Sequence, residues 1–114
     1  MGDDPIHLAI DGTYNDCSRS RLRAWLEAMP EKIGMTPIST PFVREHKGSL
    51  MGFIFLAESH ISVHFYPDHT AYVDLYSCDY FCPVTACKEV TNGLKIQVKS
   101  TPDVGKRGLE FLGG

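Results

Sequence analysis

The sequence contains no apolar run long enough to cross a membrane. Its longest, residues 50–57, falls far short of the roughly 20 residues that span a bilayer. Residues 1–5 include two aspartates and lack the basic and then apolar order of a secretory signal peptide. We therefore expect a cytoplasmic protein that has no membrane partner.

Positive charge and cysteine are also scarce. Lysine and arginine total 11 against 14 acidic residues, and they are scattered along the chain rather than clustered. This pattern argues against nucleic acid as a partner. The four cysteines are expected to stay as free thiols, because a cytosolic chain with a hydrophobic core does not need disulfides. They are Cys17, Cys78, Cys82 and Cys87.

The length of 114 residues allows one hydrophobic core and is too short for two. A hydrophobic content of 43% and a charged content of 22% are typical of a globular chain rather than a disordered one. We predict a single domain over residues 1–114. Its end, residues 102–114, is rich in glycine and charge and is expected to be partly mobile.

Periodic patterns predict an α+β fold. Residues 5–10, 60–66, 71–78 and 95–99 alternate between apolar and polar positions, as strands do, and residues 48–57 form an apolar strand. Leu22, Leu26 and Met29 recur at helical spacing after a possible cap at Ser18 or Ser20. Pro83 suits the start of a second helix. We predict a two-layer α/β sandwich, an antiparallel sheet with two helices on one face.

Reactive side chains are concentrated in residues 57–64. Ser59 becomes a good nucleophile only if a base activates it, and His60 and His64 are candidates. From these residues alone, polar positions on the solvated face of a strand are the simpler interpretation.

A metal site is a weaker interpretation of the same region. His60 and His64 share a strand face, and Cys78, Cys82 and Cys87 follow. The intervals between these cysteines differ from the Cys-x2-Cys spacing of structural zinc sites. We therefore expect no metal.

Two segments together resemble the signature of the prokaryotic, pyruvoyl-dependent S-adenosylmethionine decarboxylases. Residues 58–68 read Glu-Ser-His-Ile-Ser-Val-His-Phe-Tyr-Pro-Asp, and residues 72–78 read Tyr-Val-Asp-Leu-Tyr-Ser-Cys. Members of the family typically carry Glu-Ser-His-hydrophobic-Ser/Thr-hydrophobic-His, then an aromatic-Pro-acid turn, then a strand that ends in Thr-Cys. The element order around the two segments also fits across nearly the whole chain.

The resemblance implies a chain that makes its own cofactor. Cleavage between Glu58 and Ser59 would give fragments 1–58 and 59–114, with Ser59 converted to a covalent pyruvoyl group that acts as an electron sink. His64 matches the processing histidine of the family, and Cys78 matches the acid that returns a proton to the substrate. Asp68 matches a carboxylate that binds the ribose hydroxyls. The implied protein is a homodimer that decarboxylates S-adenosylmethionine for polyamine (spermidine) biosynthesis.

Departures from the family pattern leave the substrate open. Glu45 stands where the family has an aromatic that stacks on adenine, which Phe42 would replace if the loop is shifted, and Met51 stands where a serine assists processing. The turn after Asp68 is one residue short, and Asp79 replaces a glycine. One alternative is therefore an arginine or ornithine decarboxylase in which Glu45 or Asp68 binds the substrate cation. A second is an unprocessed binding module without catalysis.

Overall fold

A computed structural model describes residues 5–99 and 102–106 of the chain. Within these residues it contains seven strands and two helices. In chain order they are β1 (Ile6–Thr13), α1 (Arg19–Lys32), β2 (Phe42–His46), β3 (Ser49–Leu56), β4 (Ser59–Phe65), β5 (Thr70–Ser77), α2 (Pro83–Leu94), β6 (Gln97–Val98) and β7 (Asp103–Lys106).

The strands form one antiparallel sheet in the order β2-β3-β4-β5-β1-β6, and β7 also pairs with β1. Strands β2 to β5 are neighbours in the same order in which they occur in the sequence, whereas β1 pairs with β5. The pairing of β4 sets the positions of the motif residues. Ser59 lies opposite Ser77 of β5, and His64 lies between Met51 of β3 and Tyr72 of β5.

Both helices cover the same side of the sheet, here called the helix side. Helix α1 begins at the predicted cap: the Ser18 side chain accepts a hydrogen bond from the Arg21 amide at 3.1 Å. Its apolar stripe packs against β2, β3 and α2. The strands contribute alternate residues to this core, among them Leu8, Ile10, Ile54, Ile61, Val63, Phe65, Val73 and Leu75. The predicted α+β architecture is confirmed.

Aromatic side chains occupy the other side of the sheet, here called the open face. Among the residues described, no helix covers it. Phe42, Phe55 and Tyr72 are exposed there, and Phe42 stacks on Phe53 with ring centroids 5.1 Å apart. As far as residues 5–99 and 102–106 show, this face therefore presents an exposed apolar surface.

The end of the chain is partly ordered by β1. Strand β7 pairs with Ile6–Ala9 of β1, so residues 103–106 of the stretch that we expected to be partly mobile belong to the sheet. The rest of that expectation, residues 107–114, lies outside the described residues. Within the described residues no helix is long and apolar enough to cross a membrane.

Gly52 lets helix α1 approach β3 closely. A Cβ at this position would lie 2.8 Å from Leu22 Cδ2 and 2.9 Å from Leu26 Cδ1. Both leucines are fully buried, so a methyl group there would force their side chains to shift within a close-packed core. The close packing of α1 on β3 therefore favours a residue without a side chain.

We expect Gly52→Ala to lower the free energy of unfolding by about 1–3 kcal/mol, because it overpacks the contact with Leu22 and Leu26. Urea unfolding of the variant, made in a Ser59→Ala background so that the chain stays intact, measures this. Ala24→Ser, on the exposed side of α1, is the control and should shift stability by no more than about 0.5 kcal/mol. Equal stability of the Gly52 variant and its parent would contradict this account of the packing.

Candidate active site

The bond between Glu58 and Ser59 lies at the end of a tight turn. Residues Ala57 and Glu58 connect β3 to β4, and Leu56 pairs with Ser59 across the turn. Glu58 has a φ of 61°, a left-handed conformation that costs a residue with a side chain about 1–2 kcal/mol. The turn is anchored by the Ala57 amide, which donates to the Thr36 carbonyl at 3.0 Å. The predicted cleavage point therefore follows a strained residue that the fold holds in place.

Ser59 lies on the helix side of β4 and is nearly buried. Its side chain follows the same alternation as Ile61 and Val63, and 8% of its surface is exposed. Ser59 Oγ donates to Ser77 Oγ at 3.0 Å. Ser77 Oγ in turn donates to the Asp79 carbonyl at 2.6 Å and accepts from the Asp79 amide at 2.9 Å. The nucleophile candidate thus ends a short chain of hydroxyl groups.

Cys78 lies at the same end of the strands as Ser59, directly after the last residue of β5. It follows the residue that pairs with Ser59, and it is half-buried. Its Sγ lies 3.6 Å from the Tyr76 hydroxyl, and the Tyr76 ring stacks on His60 with centroids 5.5 Å apart. These residues lie where β4 begins and β5 ends. We call this end of the two strands, formed by Glu58, Ser59, Ser77 and Cys78, the processing rim.

His64 lies away from Ser59 within one chain. It follows Ser59 by five positions on β4, an odd interval that places the two side chains on opposite sides of the sheet. The separation along the strand is roughly 17 Å at about 3.3 Å per residue. His64 stacks on Tyr66 with centroids 5.9 Å apart.

The surroundings of His64 form a depression of about 360 Å³ on the open face. Its other side chains are mainly apolar, and one of them is Met51, which pairs with His64 across the strands. The lining residues are Phe42, Arg44, Met51, Phe53 and Ser62. The depression can therefore receive a flat, apolar group beside an imidazole.

Asp68 lies in the turn between β4 and β5. Its Oδ1 accepts hydrogen bonds from the Thr70 hydroxyl at 2.6 Å and from the Thr70 amide at 3.0 Å. Both bonds lower the pKa of this carboxyl below its ordinary value, and the bond from the Thr70 hydroxyl has the larger effect. The carboxylate borders a shallow groove of about 470 Å³ that Tyr66 and Tyr72 also line. Asp68 is thus presented as an acceptor near the depression that contains His64.

Glu45 lies on the helix side of the sheet, whereas His64 lies on the open face. It pairs with the buried residue Leu50 across β2 and β3. Its Oε1 lies 3.6 Å from Arg19 Nη1 at the start of α1. The aromatic rings on the open face of β2 and β3 are instead those of Phe42, Phe53 and Phe55. The pairing of β2 with β3 shows that Glu45 lies on the helix side and Phe42 on the open face.

The part of the chain that the structure describes contains no cluster of metal-ligating side chains. Across residues 5–99 and 102–106, no three side chains of histidine, cysteine, aspartate or glutamate are grouped closely enough to hold an ion. The closest pair on the open face is His7 and Asp74, whose Nε2 and Oδ1 atoms lie 2.8 Å apart.

Comparison with known proteins identifies the family. The model of the S-adenosylmethionine decarboxylase family matches residues 13–107. A Synechococcus sp. (strain WH7803) S-adenosylmethionine decarboxylase proenzyme is 33% identical over 89 residues, which cover 70% of this chain and 69% of the relative. This chain belongs to the S-adenosylmethionine decarboxylase family. The resemblance noted from the motifs is confirmed.

Other members of the family agree with this assignment. The proenzyme of Hydrogenobaculum sp. (strain Y04AAS1) is 41% identical over 58 residues, which cover 50% of this chain and 43% of that protein. The crystal structure of the adenosylmethionine decarboxylase from Aquifex aeolicus VF5 superposes with a TM-score of 0.75 at 26% identity, covering 93% of this chain and 92% of that one. The sequence alignments with the Hydrogenobaculum and Aquifex relatives thus span less than half of those proteins.

We expect Glu58→Gly to raise the free energy of unfolding by about 1 kcal/mol, because glycine adopts a positive φ without strain. Urea unfolding in the Ser59→Ala background measures this. The matched control is Glu27→Gly, the same substitution at an exposed position inside α1. It should lower stability by about 1 kcal/mol. If both substitutions lower stability, Glu58 is not strained.

Proposed function

We propose that this chain is a proenzyme that cleaves itself between Glu58 and Ser59 and then decarboxylates S-adenosylmethionine. The observation that carries the proposal is the processing rim: a serine hydroxyl directly after a strained turn, with a cysteine that follows its strand partner Ser77. Family membership over residues 13–107 and the proenzyme names of its relatives support the same assignment.

The first chemical step is an acyl shift at the turn. Ser59 Oγ attacks the carbonyl carbon of Glu58, the bond from that carbon to the Ser59 nitrogen breaks, and the hydroxyl proton ends on the nitrogen. Loss of the Ser59 α-proton to a base then expels the Glu58 carboxylate and leaves a dehydroalanine. Water converts this residue to a ketone and releases ammonia. The strain at Glu58 favours the shift because the turn need not persist after the peptide bond breaks.

The residues of the rim fit a pyruvoyl group at position 59. Ser59 is nearly buried, but it is the first residue of β4 and follows an exposed turn. The new chain end can therefore be shielded from bulk water while a substrate reaches it from the end of the strand. Once formed, the group would supply a ketone that binds the substrate amine and an electron sink for the electron pair left when the carboxylate departs as CO2.

Cys78 is the residue we assign to reprotonation. Thiols are largely protonated at neutral pH and can act as a general acid. The Tyr76 hydroxyl, 3.6 Å from Sγ, holds the thiol at the rim. Loss of the carboxylate would leave an aminopropyl group on the product, and this is the group that polyamine biosynthesis transfers.

We assign the binding of the substrate's nucleoside to the open face. Phe42 and Phe53 offer a stacked aromatic surface to a purine, and the Asp68 carboxylate can accept hydrogen bonds from ribose hydroxyls. Glu45 faces Arg19 instead. Because Glu45 lies on the helix side, it is not placed to contact a substrate on the open face, and of the two carboxylates considered for a basic amino acid only Asp68 remains. This favours S-adenosylmethionine over arginine or ornithine.

We further propose a homodimer in which each site is shared. Ser59 and His64 lie at opposite ends of β4, so neither chain assembles both groups alone. If two open faces pack together about a two-fold axis that runs across the strands, strand direction is reversed. The processing rim of one protomer then lies over the His64 end of its partner, whose imidazole would approach the Ser59 α-carbon from the open face while the Ser59 hydroxyl points to the helix side. Burial of the exposed aromatics would stabilise this contact. A cytoplasmic location remains a prediction.

Separate roles for Ser59 and Cys78 predict separate defects. Ser59→Ala should abolish chain cleavage, because the hydroxyl that attacks is removed. Cys78→Ala should still cleave and should release CO2 from S-adenosylmethionine about a hundredfold more slowly. Electrophoresis and 14CO2 release measure the two. Full turnover by the Cys78 variant would refute its role as acid, and release of CO2 from arginine or ornithine alone would overturn the substrate assignment.

A shared site predicts rescue between two inactive variants. Neither Ser59→Ala nor His64→Ala should cleave alone, the first lacking the nucleophile and the second the base. In a co-expressed mixture, the His64→Ala chain should cleave, because the intact His64 of the partner can take the α-proton of its Ser59. Size tags on the two chains identify which one is cut. No cleavage in the mixture, with dimers present by light scattering, would place both groups in one chain and contradict the proposal.

A further inference from the structure

We propose that Ser77 is a positioning residue for self-cleavage, an inference that rests on the proposed function. In this role its hydroxyl oxygen accepts the hydrogen of the Ser59 hydroxyl and so aims the attacking oxygen. The two side chains meet because Ser59 and Ser77 are direct partners across β4 and β5. Directly opposed residues of an antiparallel pair have Cβ atoms about 5 Å apart, a distance that two short hydroxyl side chains can bridge.

The Ser77 hydroxyl has little freedom to turn. Its one hydrogen is directed to the Asp79 carbonyl at 2.6 Å, and its oxygen accepts from the Asp79 amide at 2.9 Å. One lone pair therefore remains on Ser77 Oγ, and Ser59 Oγ donates its hydrogen to this oxygen at 3.0 Å. Only 2% of Ser77 is exposed, and Met35 Sδ lies 3.6 Å from its oxygen. Water has little access to compete for this position.

This contact decides where the Ser59 lone pairs point. The other acceptor near Ser59 Oγ is the Ala57 carbonyl at 3.4 Å, which is the longer and weaker bond. When the hydrogen of Ser59 is directed at Ser77, the lone pairs of Ser59 remain available for the Glu58 carbonyl carbon. Ser77 gains and loses no net proton in the acyl shift, and the proton of Ser59 ends on the Ser59 nitrogen.

The inference assigns Ser77 to the step before the ester forms. Loss of an oriented hydrogen bond to the nucleophile should slow that step, while the later removal of the Ser59 α-proton depends on a different group. Hydroxylamine distinguishes the two steps, because it cleaves an accumulated ester and does not cleave the peptide bond. A structural role for Ser77 would not produce such a split.

The test compares Ser77→Ala with Ser77→Thr, which keeps the hydroxyl. Purified full-length chains are incubated, and cleavage is followed by mass spectrometry with and without hydroxylamine. We expect cleavage of Ser77→Ala to be about tenfold slower, with no acceleration by hydroxylamine. Ser77→Thr should stay within about threefold of the wild type. Thr91→Val, which removes a half-buried hydroxyl from α2, should cleave at the wild-type rate.

Three outcomes would overturn the inference. They are an unchanged rate for Ser77→Ala, a threonine variant as slow as the alanine variant, and an ester that accumulates in Ser77→Ala. If Ser77→Ala fails to fold, as judged by circular dichroism, the test uses Ser77→Cys, whose thiol is a weaker acceptor and should give an intermediate rate. A wild-type chain that never cleaves would instead contradict the proposed function itself.

Discussion

The register of β4 within the sheet is the constraint on which the rest of the site depends. Ile61 and Val63 are completely buried and Phe65 nearly so, all under the two helices. A slip by one residue would turn these three side chains to the open face and bury polar ones in their place, so burial holds the register firmly. Every motif position on β4 follows from it: Ser59 faces Ser77, and His64 faces the open side.

This constraint divides the chemistry between the two sides of the sheet. The helix side is a close-packed core in which Gly52 admits α1, and at its edge lies the nearly buried Ser59. The open face carries the aromatic rings, His64 and a depression large enough for part of a ligand. In the proposed function, cleavage at the rim and substrate binding on the open face would use different surfaces, which a second copy of the chain would bring together.

Much of the fold could be predicted from the sequence because burial repeats with a clear period. The alternation of residues 60–66 and the helical stripe of Leu22 and Leu26 each identify a face without knowledge of the partner element. The opposite orientations of Ser59 and His64 were also implicit, since an odd interval on a strand reverses the side chain. The cap at Ser18 was one of two candidates, and the structure selects it.

What the sequence could not supply was the pairing between distant segments. The side of the sheet on which Glu45 lies depends on the register of β2 against β3, which the turn at Lys47 and Gly48 sets with positive φ at both residues. The contact of Ser59 with Ser77 likewise depends on how β5 returns after the shortened turn at His69. Strand β7 is short and carries little periodic signal, so nothing local indicated that it would pair with β1.

The most direct measurement of the central claim is the mass of the purified wild-type chain after incubation at neutral pH. The account predicts two fragments, 1–58 and 59–114. It also predicts that the second is lighter by one ammonia than a fragment beginning with serine, and that it reacts with phenylhydrazine. An intact chain, or a second fragment that begins with an unmodified serine, would contradict it.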